Sequence, residues 1–174
     1  SPAENLACDE ALLDLCDNGH PRELLRIWEP RSHFVVLGYS NTVRTAVHRD
    51  ACRTHRIPIL RRCSGGGTVL QGPGCLNFSL IVQNGSGPFA SPAGTTRYIL
   101  QRHREVLQSL VGQPVELHGV SDLAIRQRKV SGNAQRRRRH AVLFHGTFLL
   151  ALDIALVEQC LPMPLAQPSY RQHR

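Results

Sequence analysis

The sequence predicts an α+β domain: a mixed, largely antiparallel sheet flanked by helices. Strand-sized apolar stretches follow one another at residues 115–117, 123–125, 129–131 and 141–152, with no helical pattern between them. A doubly wound parallel sheet would need a helix after nearly every strand. Only residues 95–111 keep a helical apolar period over several turns. The 174 residues suit one domain with a sizeable core.

Taken in order, residues 5–16 predict a helix, because Leu6, Leu12, Leu13 and Cys16 fall near helical spacing and Ser1 or Asn5 supplies a cap. Residues 24–28 and 34–37 read as strands joined by a turn around Pro30. A short helix at 45–55, a strand at 57–61 and an extended piece at 68–70 follow. Over 76–82, Leu76, Phe78, Leu80 and Val82 alternate with Asn77, Ser79 and Ile81, which predicts a strand with one apolar and one mostly polar face. Gly, Pro and Ser make residues 85–94 a loop. In the 95–111 helix, Ile99, Leu100, Val106, Leu107, Leu110 and Val111 form the core-facing stripe. From Pro162 onward, three prolines without periodicity predict a linker.

Composition narrows the function classes. No apolar run approaches the roughly 18 to 20 residues of a membrane helix. Glu4, Asp9 and Glu10 interrupt any signal-peptide layout, so the chain is read as cytoplasmic, with no membrane partner. Six cysteines at irregular spacing, without a Cys-x-x-Cys pair, argue against a zinc site and a disulfide framework. The net charge of +8 suits an anionic nucleotide, an acidic protein or nucleic acid. Much of it lies in Arg136, Arg137, Arg138 and Arg139, readable either as a solvated strand edge or as a landing surface for an anion.

Three constellations carry chemistry. In Arg61-Arg62-Cys63-Ser64-Gly65-Gly66-Gly67-Thr68-Val69-Leu70, three consecutive glycines let backbone amides approach and cradle an anion, with two arginines alongside. Gly72 and Gly74 keep that wall thin. Lys129 is the only lysine of the chain, and it precedes Val130-Ser131-Gly132-Asn133-Ala134-Gln135. A compact ammonium there suits a phosphate or an acyl carbonyl. Last, Phe144-His145-Gly146-Thr147 places a histidine able to bond a phosphate or orient a neighbour.

These motifs, in this order, resemble the lipoate–protein ligase family, within the group of biotin and lipoate ligases and octanoyl transferases. The likeness covers nearly the whole chain. It includes residues 5–13, 25–28 and 35–41, the glycine-rich segment with Leu76 and Asn77, Asp122-Leu123 with Lys129, Ser131, Gly132, Ala134 and Gln135, and His145-Gly146-Thr147 with Leu149 and Leu150. The resemblance implies a catalytic domain like that of class II aminoacyl-tRNA synthetases. It implies that lipoate and ATP, with Mg²⁺, give lipoyl-AMP, whose acyl group passes to a lysine of an acidic lipoyl carrier domain. It implies substrate and ATP contacts at Arg62, Ser64, Gly65, Gly66, Gly67, Thr68, Val69, Leu70, Asn77, Asp122, Lys129, Gly132, Ala134, His145 and Gly146, with Lys129 catalytic and Val69, Leu70 and Phe78 as an apolar slot.

The resemblance also has departures. Transferases of the group relay the acyl group through a cysteine thioester. No cysteine precedes Asp122-Leu123, and Cys160 is a weak nucleophile candidate, with Cys63 and Cys75 as pocket lining. Residues 1–174 read as one catalytic domain lacking the C-terminal accessory domain of many ligases, which implies truncation or a separate accessory chain. The competing reading from another class is a non-catalytic binder using the arginine run. The ordered motifs rank nucleic acid below a lipoyl carrier.

Overall fold

In the computed structural model, which describes residues 1–19 and 23–163, the first helix starts at a complete cap. The Ser1 hydroxyl accepts from the Glu4 amide and the Glu4 carboxylate takes the Ser1 amine, so α1 spans Pro2–Asp17. Strands β1 (Leu24–Trp28) and β2 (Phe34–Leu37) follow as predicted. The single helix expected at 45–55 is two short ones, α2 (Val43–Ala46) and α3 (Arg49–Thr54), separated at Val47, whose backbone is extended. Then come β3 (Ile59–Arg61), β4 (Val69–Gln71), β5 (Cys75–Gln83), a 3₁₀ turn over Gly87–Ala90, α4 (Pro92–Val111), β6 (Glu116–His118), β7 (Asp122–Ile125), β8 (Arg128–Arg137), β9 (Ala141–Leu149) and α5 (Ile154–Cys160).

The α+β expectation holds. A six-stranded sheet runs β1-β5-β9-β8-β7-β6, antiparallel at every pairing. A three-stranded sheet, β3-β2-β4, pairs β2 parallel with β3 and antiparallel with β4. Helix α4 covers one face of the larger sheet, over Phe78, Leu123 and Phe144. Helix α1 covers the other, packing Leu13 on Ile81 and Leu143. The smaller sheet has its own core, where Val35, Leu37 and Leu70 meet Cys52 and Cys160.

Three expectations change. The second face of β5 is not exposed: Asn77, Ser79 and Ile81 are buried, because α1 and the loop before β4 lie over it. Helix α4 buries Thr95, Thr96, Ile99 and Leu100, but Val106, Leu110 and Val111 are exposed, since only its N-terminal half sinks into the core. Strand β8 is far longer than residues 129–131 and carries the start of the arginine run. The linker expected from Pro162 lies almost wholly outside the described residues. Among the described residues no helix is long and apolar enough to cross a membrane.

Candidate active site

The glycine-rich segment links β3 to β4 and is folded around its own arginines. Gly66 takes a φ of +92°, a conformation that disfavours a side chain. Its carbonyl lies so close to Gly38 that a Cβ at Gly38 would run into it. Arg62 donates to the carbonyls of Gly65 at 2.6 Å and Gly67 at 2.9 Å, and to Ser64 Oγ at 3.0 Å. Asn41 Nδ2 holds the Gly66 carbonyl and Thr68 Oγ1. Arg61 gathers the carbonyls of Gly38, Tyr39 and Asn41. All three glycine carbonyls are thus turned inward. Among the described residues the Gly65, Gly66 and Gly67 amides donate to no backbone acceptor, and a Cβ on Gly65 or Gly67 would meet open space. Carbonyls in and amides out is the polarity an anion cradle requires. Burial pulls the Arg62 pKa down to about 10, and no carboxylate pairs with it among the described residues.

Strand β9 grips this segment at both ends. Ser64, fully buried, shares a 2.6 Å hydrogen bond with His145 Nε2, whose Nδ1 lies 3.3 Å from Asp9 on α1. Two residues along, Thr147 Oγ1 accepts from Gln71 Nε2 at 2.7 Å and donates to Asn77 Oδ1 at 2.6 Å. Gln71 Oε1 and Ser79 Oγ are buried without a hydrogen-bond partner. Ser79 pairs with His145 in the ladder and Gln71 reaches Thr147, so both lie on the face that carries the loop.

Lys129 comes to the same face. It forms an ion pair with Asp122 at 2.9 Å and arches over Gly132, where a Cβ would displace its ammonium. Gly132 pairs with both Asp122 and Thr147, and Ala134 pairs with His145. Lys129 is therefore connected to the glycine segment through Gly132, Thr147 and Gln71.

Residues 1–172 match the family model described as the lipoyl protein ligase A/B catalytic domain. The chain belongs to this family. Lipoate–protein ligase 1 of Staphylococcus aureus is 32% identical over 160 residues, 92% of this chain and 46% of that protein. Octanoyltransferase LipM of an Exiguobacterium strain is 28% identical over 192 residues, 94% of this chain and 67% of that protein. The crystal structure of lipoate-protein ligase A bound with ATP superposes with a TM-score of 0.81 at 26% identity, covering 97% of this chain and 68% of that one. A bipartite lipoate protein ligase of Thermoplasma acidophilum, solved in a study with its E2 lipoyl domain, gives 0.76 at 25% identity, covering 96% and 63%. The chain spans about half the length of the ligase relatives. It is an enzyme of the lipoate ligase and transferase family.

That family divides by whether a thiol carries the acyl group, so the cysteines matter. All six are free. Cys160 and Cys75 are fully buried. Burial pushes the Cys63 thiol up to about 11, helped by Glu10 and Asp9, and Cys52 to about 11, helped by Cys160. Burial also raises Cys16 and Cys75. The apolar slot needs revision. Phe78 is on the α4 face, stacked with Phe144 and Phe148, and Leu70 is in the smaller sheet's core, which leaves Val69, half-buried on the Gln71 side. Gly146 also faces away, beneath Asn133 and Phe78.

The arginine run is no open landing surface. Arg137 bonds Asn84, Phe89 O and Thr95, and Arg138 pairs with Asp14 at 3.0 Å. Arg136 stacks over Tyr39, 5.1 Å from its ring centre. Sequence reading gave no site role to Asp9 or Thr147, although both lie in its motifs, and missed Gln71. Asp9 had a signal: it shares a helical stripe with Leu6, Leu13 and Cys16, where a carboxylate is out of place.

Proposed function

We propose that this chain is the catalytic part of an ATP-dependent lipoate–protein ligase. A lipoate carboxylate oxygen attacks the α-phosphorus of ATP and pyrophosphate leaves. The amine of a carrier lysine then attacks the lipoyl carbonyl, and AMP leaves. Both steps bring negative charge together, which oriented amides and cations offset. The outward amides of Gly65, Gly66 and Gly67 with Arg62 serve the adenylate, and the Lys129 ammonium serves the carbonyl and phosphate. Val69 borders the acyl chain.

One observation supports a ligase: Cys52, Cys75 and Cys160 are buried away from any substrate, and burial raises the Cys63 thiol to about 11, away from the thiolate that a thioester relay needs. Mg²⁺ would arrive with ATP, held chiefly by the phosphates and water; among the described residues no group of three or more His, Cys, Asp or Glu could hold a metal ion. The partner is an acidic lipoyl carrier domain. Exposed charge that suits it is at Arg44, Arg49 and Arg56, on and just after α2 and α3, whereas Arg136, Arg137 and Arg138 of the arginine run are engaged internally. The likeness to a bipartite ligase of Thermoplasma acidophilum supports an accessory unit as a partner in activation. Free thiols throughout fit a cytoplasmic setting.

The test is incubation with ATP, lipoate and a lipoyl carrier domain, with an accessory domain supplied, read by mass spectrometry. A lipoyl mass on the carrier that requires ATP supports the proposal. No gain from the unmodified chain refutes it. The second reading, a thioester transferase, is favoured by the larger share of LipM that the chain covers. It requires transfer from an octanoyl carrier without ATP, abolished by one of the Cys→Ser changes.

A further inference from the structure

Arg62 is a half-buried cation that meets backbone carbonyls and, among the described residues, no carboxylate. Its orientation therefore depends on its hydrogen bonds, and one of them leads away from the loop. Arg62 Nε can only donate, so Ser64 Oγ accepts. The Ser64 hydroxyl keeps one proton, and His145 Nε2 stands 2.6 Å away to accept it. A neutral imidazole that accepts at Nε2 carries its proton on Nδ1, facing Asp9 Oδ2 at 3.3 Å. The other Asp9 oxygen takes Arg26 Nη1 at 2.8 Å, and Arg26 is anchored to Asn5 on the same helix. Read outward from Arg62, the row runs through Ser64 and His145 to Asp9, with Nδ1 as the protonated nitrogen.

We propose that Asp9, His145 and Ser64 are positioning residues that hold the Arg62 guanidinium, and through it the glycine cradle. The proposal rests on reading the cradle as the acyl and adenylate site. A Ser–His–Asp row also suggests a nucleophilic serine. The geometry opposes that: Ser64 is fully buried and its oxygen already accepts from Arg62, whereas a nucleophile must face its substrate.

The experiment is a double-mutant cycle on lipoate affinity, read by calorimetry. Asp9→Asn and Ser64→Ala each weaken binding about tenfold, the scale of one charge-linked hydrogen bond. The double variant is no weaker than Ser64→Ala alone, because Asp9 acts only through Ser64. Asp17→Asn is the control on the same helix: Asp17 anchors the His140 and Ala141 amides, and its loss leaves lipoate affinity unchanged in either background. Additive losses from Asp9 and Ser64, or an equal loss from Asp17→Asn, overturn the row. A second measurement needs no substrate. Nitrogen-15 imidazole spectra of the unmodified protein are expected to show neutral His145 protonated on Nδ1, and a proton on Nε2 refutes the assignment. If the unmodified protein does not bind lipoate, the proposed function fails, and the imidazole spectrum still decides the row.

Discussion

The chain has two arginine-rich segments, and they do opposite work. In the run at 136–139, Arg138 meets Asp14 and Arg137 meets oxygen acceptors on the loop before α4 and at that helix's start. That charge is consumed in docking α1 and α4 to the sheet. At the glycine segment, Arg61 and Arg62 meet backbone carbonyls and no carboxylate among the described residues. Their charge is not cancelled locally, so the segment keeps a positive potential facing outward. Four arginines in a row are the louder signal in the sequence, yet the two beside glycines are the ones we propose for the anion. What decides is the set of acceptors each arginine finds, which the sequence does not display.

This contrast can be broken at either end. The largest effect is expected on the site side. Lys129→Ala should lower the rate of adenylate formation by about 100- to 1,000-fold while leaving the melting temperature close to that of the parent, since it removes a group acting on developing charge. Arg62→Lys comes next. A single ammonium cannot serve Ser64, Gly65 and Gly67 together, so kcat/KM for lipoate should fall about 30-fold by steady-state kinetics. On the other side, Arg137→Ala should leave lipoate affinity unchanged but cost about 1.5 to 3 kcal/mol in denaturant titration, because buried acceptors lose a charged donor. An Arg137→Ala variant that loses lipoate binding but not stability would erase the distinction.

The smallest expected effect concerns pH. Cys63 is raised from its ordinary value near 9 to about 11. The folded state therefore holds this proton more tightly than the unfolded state, and the associated stability is complete below pH 9 and lost as pH rises toward 11. Denaturation midpoints across that window should decline, and Cys63→Ala should flatten part of the decline. Cys52, also raised to about 11, retains the rest.

The main motifs were legible because they need particular residues: glycine where Gly66 is left-handed, and a lone lysine where a compact ammonium arches over Gly132. Strands β1 and β2 were read with their true limits. What was hidden depended on partners distant in sequence. Strand β8 looked like a short hairpin because its arginines break apolar alternation, yet Arg136 finds an aromatic ring and Arg137 finds acceptors across the fold. The buried second face of β5 was read as polar surface because α1, which covers it, lies far upstream. Helix α5 fell in the unassigned stretch between a strand ending at residue 152 and a linker beginning at 162, although Asp153 caps it by accepting from the Leu156 amide.

His145 and Thr147 clasp Ser64 and Gln71, so the glycine segment is built like an arch between two fixed abutments. Both footings stand on one strand, two residues apart. The width of the segment is therefore set by the spacing of two side chains on β9 and not by its own glycines, so a change at either footing would be felt at the crown.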